Sequence, residues 1–475
     1  MLYYALMSQS PARWMTAINR AFLCLSPDAA RRLRARLQPV SRKHRMVMYT
    51  DRGTPRVIDT QLRPWLVSDA QRRFFHRACL TLKSALARVL PLYLANPRVR
   101  QVVPLEPEEE TWFWQILAGV PQRPQTVFDR LDSTATFAHD RWAEEFWFLE
   151  PNSVGIGGVH YIPATAGTVQ ELVAPWLQRA FPQLRLAPMD DVRDLLLGVI
   201  RTHARALGRR RLHVAFLEDQ SERSGTAEFE QVADYFRRCG VPAVATDPRH
   251  LRLRGGEIYA KDFPVDLFYR DSEITELLEV ERAGVSMAVV REAFRRNQVI
   301  SSIAGEFDHK SAWELFTSPV FSRYFTPTQR ALFTKHVLWT RLIWARKTTD
   351  PSGRLMDLAT YVRRHRTSLT IKPNREYGGA GVTFGHATTQ GAWERALERA
   401  LRRPGTTVVQ RTARVHTERF PQIDARGRVT LAPCYAVTGF AATPQGLAIL
   451  GRSSSAAVVN VSRGGGLIAV LRLQS

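Results

Sequence analysis

The stretch KPNREYGGAGV, residues 372–382, is the most informative part of this 475-residue chain. The preceding residues, within SLTIKPN at 368–374, predict a strand that delivers Lys372 to the start of a loop. Three glycines follow in that loop: Gly378, Gly379 and Gly381. Glycine adopts positive φ without a steric penalty and lets backbone N–H groups approach an anion closely. Because the P-loop pattern GxxxxGK[ST] is absent, the stretch predicts either a flap over phosphate groups that Lys372 contacts or a plain glycine-rich hairpin.

Around this stretch, the region from about residue 299 to the last residue predicts a mixed or antiparallel sheet. Segments rich in β-branched and aromatic residues, separated by turn residues, predict strands at 368–374, 381–387, 406–412, 429–441 and 446–462. One amphipathic helix, 389–403, interrupts them. Lys310 opens another amphipathic segment, and it stands out because the chain has 7 Lys against 60 Arg.

Two short motifs much earlier in the chain place polar side chains on predicted strands. Arg130 and Asp132 are two residues apart in FDRLDS, and Glu150 and Asn152 are two apart in FLEPNS, so each pair shares one strand face. If the strands are neighbours, the oxygen donors suit Mg²⁺ and the guanidinium suits a phosphoryl or acyl-phosphate group. Pro151 predicts a local bend because proline removes a ladder donor. The alternative is a pair of strands with solvated charges.

The middle segment of the chain, from about residue 165, has a different pattern of predicted strands and helices. The strand signal RRLHVAFLED, 210–219, is followed by the helical pattern AEFEQVADYFRRCG and then by PAVAT, EIYAK and VDLFYRD as further strands. A helical stretch from about 273 to 296 comes next. Strands that alternate with helices predict a small parallel α/β unit, and without GxGxxG nothing marks it as a dinucleotide site.

The net charge of +23 is concentrated near the start of the chain, where the first 100 residues hold 19 basic and 4 acidic residues. This predicts a solvated helical face or a docking surface for an acidic partner. No nucleic-acid-binding motif accompanies the charge, so we expect no nucleic acid partner. No run of about 18 apolar residues predicts a membrane span. Four cysteines without metal or redox spacing, Cys24, Cys79, Cys239 and Cys434, predict reduced thiols in a cytoplasmic protein.

Together these motifs resemble the circularly permuted ATP-grasp family, which includes the synthetase domain of glutathionylspermidine synthase. The resemblance covers most of the chain, and it rests on the order of motifs that are each weak alone. In chain order they are R-x-D at 130–132, E-x-N at 150–152, Lys310, HVLWTR at 336–341, LTIKPNREYGGAGV at 369–382, VVQ at 408–410 and VVNVSRGGG at 458–466. The implied fold class is α/β (α+β), a circularly permuted ATP-grasp fold with an inserted small parallel α/β (pre-ATP-grasp-like) domain.

The resemblance implies a role for each matching residue. Arg130 and Arg452 would be the catalytic arginines. The Mg²⁺ ligands would be Asp132, Glu150 and Asn152. The ATP contacts would be Lys310, Lys372, Gly378, Gly379, Gly381, Val409 and Gln410. The implied domains are a basic N-terminal helical segment at 1–55, a first part of the permuted body with the metal-ligand strands at 56–165, the inserted α/β domain at 166–298, and the nucleotide-binding part with its flap at 299–475.

The implied activity is that of an ATP-dependent carboxylate–amine ligase that forms an amide through an acyl phosphate. Its partners would be a small-molecule or peptide carboxylate and an amine, and the positive charge of the chain favours acidic substrates. We expect no membrane association, and an acidic protein partner at the basic N-terminal segment is an open hypothesis. Two alternatives to the ligase are a catalytically inactive ATP-grasp-like scaffold and an ATP-dependent phosphotransferase. Amide hydrolysis is not expected, because the catalytic Cys of the amidase half has no counterpart.

Overall fold

The computed structural model describes residues 10–49, 53–118, 124–221, 225–226, 228–456, 458–459, 461 and 464–474. Parts of several predicted features lie outside the described residues. These are residues 1–9 and 50–52 of the basic N-terminal segment, Ala227 at the start of the helical pattern AEFEQVADYFRRCG, Ala457, Asn460 and Ser462 of the predicted strand 446–462, and Asn460, Ser462 and Arg463 of the VVNVSRGGG motif.

The helices begin mostly at polar caps, as at Ser68 and Thr326, where a capping box satisfies the first free N–H groups. The α-helices are α1 Pro11–Leu23, α2 Pro27–Lys43, α3 Asp69–Leu86, α4 Val89–Ala95, α5 Pro97–Val102, α6 Pro107–Leu117, α7 Tyr161–Leu172, α8 Ala174–Ala180, α9 Val192–Ala206, α10 Phe229–Arg238, α11 Ile274–Arg282, α12 Ala288–Arg295, α13 Ala312–Thr317, α14 Pro327–His336, α15 Leu358–Arg364 and α16 Gln390–Arg402. The predicted helix 389–403 is confirmed as α16, which Thr389 caps. Short 3₁₀ turns lie at Pro248–His250, Ile303–Phe307, Pro319–Tyr324, Arg366–Ser368 and Gly385–Ala387.

The strands, in chain order, are β1 Val47–Tyr49, β2 Pro55–Val57, β3 Thr60–Val67, β4 Arg130–Ser133, β5 Phe148–Asn152, β6 Leu186–Pro188, β7 Val214–Leu217, β8 Gly225–Thr226, β9 Ala243–Thr246, β10 Leu251–Arg254, β11 Glu257–Ala260, β12 Phe263–Pro264, β13 Leu267–Arg270, β14 Val299–Ile300, β15 Thr340–Leu342, β16 Lys347–Thr349, β17 Leu355–Asp357, β18 Leu369–Pro373, β19 Thr383–Phe384, β20 Thr407–Arg411, β21 Thr417–Ile423, β22 Val429–Thr443, β23 Gly446–Ser454 and β24 Gly466–Leu473. The predicted strand at 446–462 thus ends at Ser454, and the one at 381–387 shrinks to two residues.

The largest sheet joins early and late parts of the chain. Its strand order is β3-β24-β23-β22-β4-β5, and β3 lies parallel to β24 while the other neighbours are antiparallel. β5 is therefore an edge strand. Proline is tolerated at an edge because the N–H that Pro151 lacks is not needed for pairing inside the sheet. This sheet brings the R-x-D and E-x-N motifs next to strands from the last 50 residues.

A second sheet carries the stretch KPNREYGGAGV. It has the order β15-β20-β18-β19, and all its pairs are antiparallel. α15 and α16 cover it, and Trp393 of α16 is fully buried with Ile371 of β18 and Val409 of β20 in one core cluster. This sheet has the antiparallel arrangement, one of the two predicted for the region, whereas β22 and β23 of the same region belong to the large sheet, which is mixed.

The predicted parallel unit is a four-stranded sheet in the order β14-β13-β7-β9, with every pair parallel. β7 and β13 are buried along their whole length, which is typical of parallel strands covered on both faces. Two expectations were wrong. EIYAK contributes β11 to a separate antiparallel sheet with β10 and β12. The stretch 273–296 is two helices, because the chain turns at Gly284, whose φ is 93°. The domain boundaries themselves remain predictions.

By length and composition alone, the helical stretch Asp69–Ala95 is apolar enough to cross a membrane. The structure buries one face of this stretch by packing, amounting to 39% of its most apolar window. Phe75 is fully buried and stacks on Phe440 of β22, with 4.9 Å between ring centroids. Cys79 and Leu82 continue the same buried face. The stretch also breaks into α3 and α4 after Leu86, so it is a core element of this fold.

Candidate functional site

A cleft of about 1040 Å³ lies where the large mixed sheet and the β15-β20-β18-β19 sheet meet the parallel sheet. Two groups of side chains line it. The first, called the basic wall below, comprises Arg130, Asp132, Glu150, Lys310, Lys372 and Arg452. The second, called the acidic wall, comprises Asp219, Glu228, Asp271, Glu273, Glu276 and Glu279. The cleft therefore contains residues from both halves of the chain.

The antiparallel pairing of β4 and β5 sets the relative positions of the two early motifs. Asp132 lies opposite Glu150, and Arg130 lies opposite Asn152. Asn152 is buried, and its amide Nδ2 donates to the carbonyl oxygen of Arg130 at 3.4 Å, which orients the side chain. The structure thus brings together the two carboxylates and the amide that were predicted to hold Mg²⁺.

Asp132 is held between two arginines. Arg130 Nε donates to its Oδ1 at 2.8 Å, and Arg452 Nη2 donates to its Oδ2 at 2.6 Å. Burial acts to raise the pKa of Asp132, but the two guanidiniums outweigh burial and lower the pKa to about 2. Asp132 is therefore ionised at any physiological pH. Arg452 Nε is buried and has no hydrogen-bond partner among the described residues, so this guanidinium retains donor capacity.

Glu150 faces both predicted nucleotide lysines. Its Oε2 lies 3.5 Å from Lys310 Nζ and 3.7 Å from Lys372 Nζ. Burial acts to raise the pKa of Glu150, whereas the two lysines lower it, and the net shift is downward. Burial lowers the pKa of Lys372 to about 8, with Glu150 opposing that change and Lys310 adding to it. The two lysines, 62 positions apart, thus share one carboxylate in the cleft.

Lys310 reaches the cleft from a loop rather than from a long helix. The six-residue helix α13 starts two positions after it, so the expected helix start is approximately right. Its Nζ donates to the carbonyl oxygen of Glu376 at 2.8 Å, and its backbone N–H donates to the carbonyl oxygen of Asn374 at 3.0 Å. Lys310 is thereby attached to the same loop that carries the glycines.

The glycine-rich loop requires glycine for its backbone. The φ angles of Gly378, Gly379 and Gly381 are 69°, 71° and 68°, in the left-handed region that other residues seldom adopt. A Cβ at Gly379 would collide with Val458. Gly378 and Gly379 line the cleft, whereas Gly381 packs near Pro373 outside its lining.

The predicted adenine-contacting strand contributes one of its two named residues to the cleft. Gln410 lines it, and its Nε2 donates to Thr340 Oγ1 at 2.8 Å. Val409 points the other way, because residues alternate along β20, and it is fully buried in the core between the sheet and α16. A nucleotide contact of Val409 is therefore limited to its backbone.

The basic wall has the charge that a bound polyphosphate needs. Its four cations exceed its two carboxylates by two positive charges, and Lys310 and Lys372 are both less than a tenth exposed. Phosphate oxygens are attracted to buried cations and to donors without partners, of which Arg452 Nε is one. Asp132, Glu150 and Asn152 add oxygen donors of the kind that Mg²⁺ prefers. The residues present fit Mg²⁺ and a nucleoside triphosphate.

The acidic wall was not predicted from the sequence. It is built where the parallel strands end: Asp219 follows β7, Asp271 follows β13, and the glutamates of α11 come next along the chain. Ligands of open parallel sheets commonly bind at the carboxyl ends of the strands. The signal was present in the sequence, since both strand motifs, RRLHVAFLED and VDLFYRD, end in acidic residues.

Members of the acidic wall differ in what they contact. Glu228 accepts from the backbone N–H groups of Gly158 and His160, at 2.7 Å each, and so caps the turn before α7. Asp271 is accessible from the cleft but surrounded by protein, and this burial raises its pKa to about 7. The carboxylates Glu276, Glu218 and Glu228 raise the pKa further, in that order. A cation entering this part of the cleft would therefore be favoured.

Comparisons with known proteins concern the fold. No family model matches the sequence, and no curated protein matches it. The solved structure of a glutathione synthetase-like effector from Globodera pallida, GSS30 in its apo form, matches with a TM-score of 0.63 and 10% identity over 94% of this chain and 98% of that one. Two further structures cover 50% of this chain: a RimK-domain ATP-grasp protein from Sphaerobacter thermophilus (TM-score 0.24, 13% identity, 89% of that chain) and D-alanyl-alanine synthetase A from Vibrio cholerae (TM-score 0.25, 10% identity, 88% of that chain).

The likeness to the Globodera structure spans nearly the whole of both chains. At 10% identity it concerns the fold and not the activity. It agrees with the resemblance that the sequence motifs indicated. The chain therefore shares its fold with a glutathione synthetase-like protein.

Proposed function

We propose that this protein is an ATP-dependent carboxylate–amine ligase of the circularly permuted ATP-grasp type. One observation carries the proposal. Glu150 lies within 4 Å of both Lys310 and Lys372, which come 160 and 222 positions later in the chain, in a cleft large enough for a nucleotide and a substrate. In a permuted order of this kind, the metal-ligand strands precede the nucleotide lysines, and the parallel α/β unit is inserted between them.

The proposed roles follow from charge and position. Lys310, Lys372 and Arg452 would neutralise the phosphates, and the glycine-rich loop would close over them and exclude water. Asp132, Glu150 and Asn152 would hold Mg²⁺, which when bound offsets phosphate charge and bridges phosphate oxygens. Arg130 donates to Asp132 and so positions that carboxylate.

The chemistry of the reaction explains why such a site needs no protein nucleophile. A carboxylate is a poor electrophile, so phosphoryl transfer from ATP converts it to an acyl phosphate and releases ADP. A neutral amine then attacks the acyl carbon and displaces phosphate, which gives the amide and releases the amine proton. The protein supplies charge neutralisation, orientation and exclusion of water. Arg130 and Arg452 would stabilise the negative charge that develops at the transferred group.

The acidic wall indicates the class of amine. Although the whole chain has a net charge of +23, the part of the cleft beyond the basic wall is lined by seven carboxylates, the six of the acidic wall and Glu376, with Arg249 and Arg411. Such a surface favours a substrate with positive charge and disfavours a polyanion. We therefore propose a cationic aliphatic amine as the second substrate. The charge of this substrate would follow the local charge of the cleft and not the overall positive charge of the chain.

A mass-spectrometric screen tests the proposal. Purified protein is incubated with ATP, Mg²⁺ and a metabolite extract, and the products are compared with those of Lys372→Met. The proposal predicts new condensation masses, each a sum of two extract components less one water, with ADP and phosphate released in equal amounts. These masses should be absent with the variant.

Other outcomes point to other functions. ADP with a phosphorylated product and no free phosphate would identify a phosphotransferase. ATP binding without any turnover across the screen would identify a scaffold. Either result would overturn the ligase proposal, while equal formation of the same products by wild type and variant would assign them to contaminants.

A further inference from the structure

A second polar cluster lies away from the cleft, on the connection between β4 and β5. One ring nitrogen each of His139 and His416 and one carboxylate oxygen of Glu145 all lie within 4.8 Å of one another. His139 and Glu145 belong to that connection, and His416 immediately precedes β21. All three side chains are half-buried. Residues far apart in the chain thus present two imidazoles and a carboxylate to one point.

The hydrogen bonds of the cluster leave ligand atoms available. His416 Nε2 is 3.2 Å from the carbonyl oxygen of Glu145, and because a carbonyl only accepts, Nε2 carries the proton and Nδ1 keeps a lone pair. A histidine that binds a metal commonly donates its other N–H to a backbone carbonyl in this way. His139 Nε2 is buried and has no hydrogen-bond partner among the described residues. A buried nitrogen without a partner is costly unless something binds it.

The surrounding charge suits a cation. The two imidazole rings lie with their centroids 4.8 Å apart, so protonation of both would be unfavourable. The carboxylates of Glu145 and Glu418 lie near His139 and would attract a cation. Arg141 Nη1 contacts Glu145 Oε1 at 2.9 Å, and its side chain is 68% exposed, so it can move aside.

We propose that His139, Glu145 and His416 form a binding site for a divalent cation of a late first-row transition metal, and we expect this cation to be Zn²⁺. Two imidazoles with one carboxylate are a zinc donor set that leaves a fourth position for water. Ligand atoms around tetrahedral zinc lie about 3.3 Å apart, given bonds of about 2.0–2.2 Å, so small rotations of half-buried side chains would close the site. The cleft differs, because its oxygen donors suit Mg²⁺.

A cation at this site would affect the cleft indirectly, through the two strands that carry Asp132 and Glu150. The β4–β5 connection joins the strand of Asp132 to the strand of Glu150, and His416 lies at the start of β21, which pairs with β22 beside β4. Bound metal would tie this connection to the large sheet. The site would then stabilise the protein and hold the register of β4 and β5.

The test uses the full chain after removal of metals by chelator and dialysis. Zn²⁺ is titrated against a chromophoric chelator in excess Mg²⁺, which occupies oxygen-donor sites, and Co²⁺ is added separately for its visible ligand-field spectrum. We expect one equivalent of Zn²⁺, a higher melting temperature with Zn²⁺, and Co²⁺ bands typical of low coordination number. His139→Gln and His416→Gln should each weaken Zn²⁺ binding by about tenfold or more.

The matched control is His213→Gln, which removes another half-buried histidine beside a carboxylate, Asp266 at 2.9 Å, and should leave Zn²⁺ affinity unchanged. Asp132→Asn should leave it unchanged as well, which separates this site from the cleft. Absence of stoichiometric Zn²⁺ binding and of Co²⁺ bands in the unmodified protein would overturn the proposal, whether or not the variants fold. Equal affinity in the wild type and both histidine variants would also overturn it. The result does not depend on ligase activity.

Discussion

The basic wall and the acidic wall face one cleft but are constructed differently. The basic wall takes its residues from antiparallel strands and, for Lys310, from the loop before α13, and its ions are paired at short distances, as in Arg452 with Asp132 at 2.6 Å. The acidic wall takes its residues from the ends of parallel strands and from α11, and the charged neighbours that shift the pKa of Asp271 are all carboxylates. The first wall is preorganised for a fixed charge pattern, while the second carries an excess of carboxylates, of which Asp219 pairs with Arg249 and Glu273 with Arg375.

Arg375 links the two walls. It lies inside KPNREYGGAGV, two residues before Tyr377 and the glycines, and its guanidinium contacts Glu273 of the acidic wall at 2.9 Å and the fully buried Glu109. The base of the glycine-rich loop is therefore anchored to the acidic side by buried ion pairs, which are costly to break by removing one partner. The residues proposed to act on ATP and those proposed to bind the amine thus lie on separate elements of the fold. Changes in the basic wall should therefore alter the kinetic constants for ATP, and changes in the acidic wall should alter KM for the amine.

The largest expected effect comes from Lys372→Met on the basic wall. Methionine keeps the length and apolar stem of the side chain and removes the buried charge, so the fold should remain while phosphate neutralisation is lost. We expect kcat/KM for ATP to fall by about 10²–10³-fold. ADP release gives the rate, and circular dichroism with thermal unfolding checks the fold.

Lys347→Met is the matched control, because Lys347 is exposed on β16 and does not line the cleft. It should leave kcat/KM within experimental error of wild type. Turnover by Lys372→Met at the wild-type rate would remove Lys372 from the mechanism and leave the basic wall without its proposed function.

A smaller effect is expected for Asp132→Asn, which removes one charge at nearly constant shape. Asp132 is ionised at every pH of interest, since two arginines lower its pKa to about 2. Its loss should raise the Mg²⁺ concentration for half-maximal activity by about 10–100-fold, the range for groups that support a metal site. Asp424→Asn, in the exposed turn between β21 and β22, is the control. An unchanged Mg²⁺ requirement would exclude Asp132 as a ligand.

The sequence predicts the basic wall better than the acidic one, for a physical reason. Arg130 and Asp132 share a strand face by a spacing of two, and the loop around Gly378 and Gly379 is read from residues that adopt positive φ. Such features are local. The pairing of Asp132 with Glu150 needs one further assumption, that the two strands are neighbours, and β4 and β5 meet it.

The acidic wall depends on strand order, which local patterns do not contain. Asp219 and Asp271 lie 52 positions apart, and they approach each other because β7 and β13 are adjacent and parallel. The break at Gly284 was missed because helical periodicity continues on both sides of it. The burial of Val409 in the core was missed because the VVQ motif predicts a strand but not which of its residues face the cleft.

The acidic wall predicts a moderate effect for Glu279→Gln. Glu279 lines the cleft, whereas Glu281 lies on the same helix, pairs with Arg291 and does not line it. An exposed charge contributes about 0.5–1 kcal/mol, so KM for the cationic amine should rise about two- to fivefold in Glu279→Gln with little change in KM for ATP. Glu281→Gln should change neither constant. Equal changes in both variants would show that the wall does not select the amine.

The smallest effect is a difference in pH dependence between the walls. Lys372, with its pKa lowered to about 8, loses its charge as the pH rises above 8, so KM for ATP should increase there. Asp271, with its pKa raised to about 7, gains its charge as the pH rises from 6 to 8, so KM for the amine should decrease over that range. An aliphatic amine keeps its charge throughout, since its pKa is about 10. Both changes should be roughly two- to threefold, because the surrounding charges and solvent in the cleft limit each interaction.

The control variant Asp271→Asn should remove the pH dependence of KM for the amine and leave that of KM for ATP. If both constants move in the same direction with pH, the two walls do not act as separate binding surfaces.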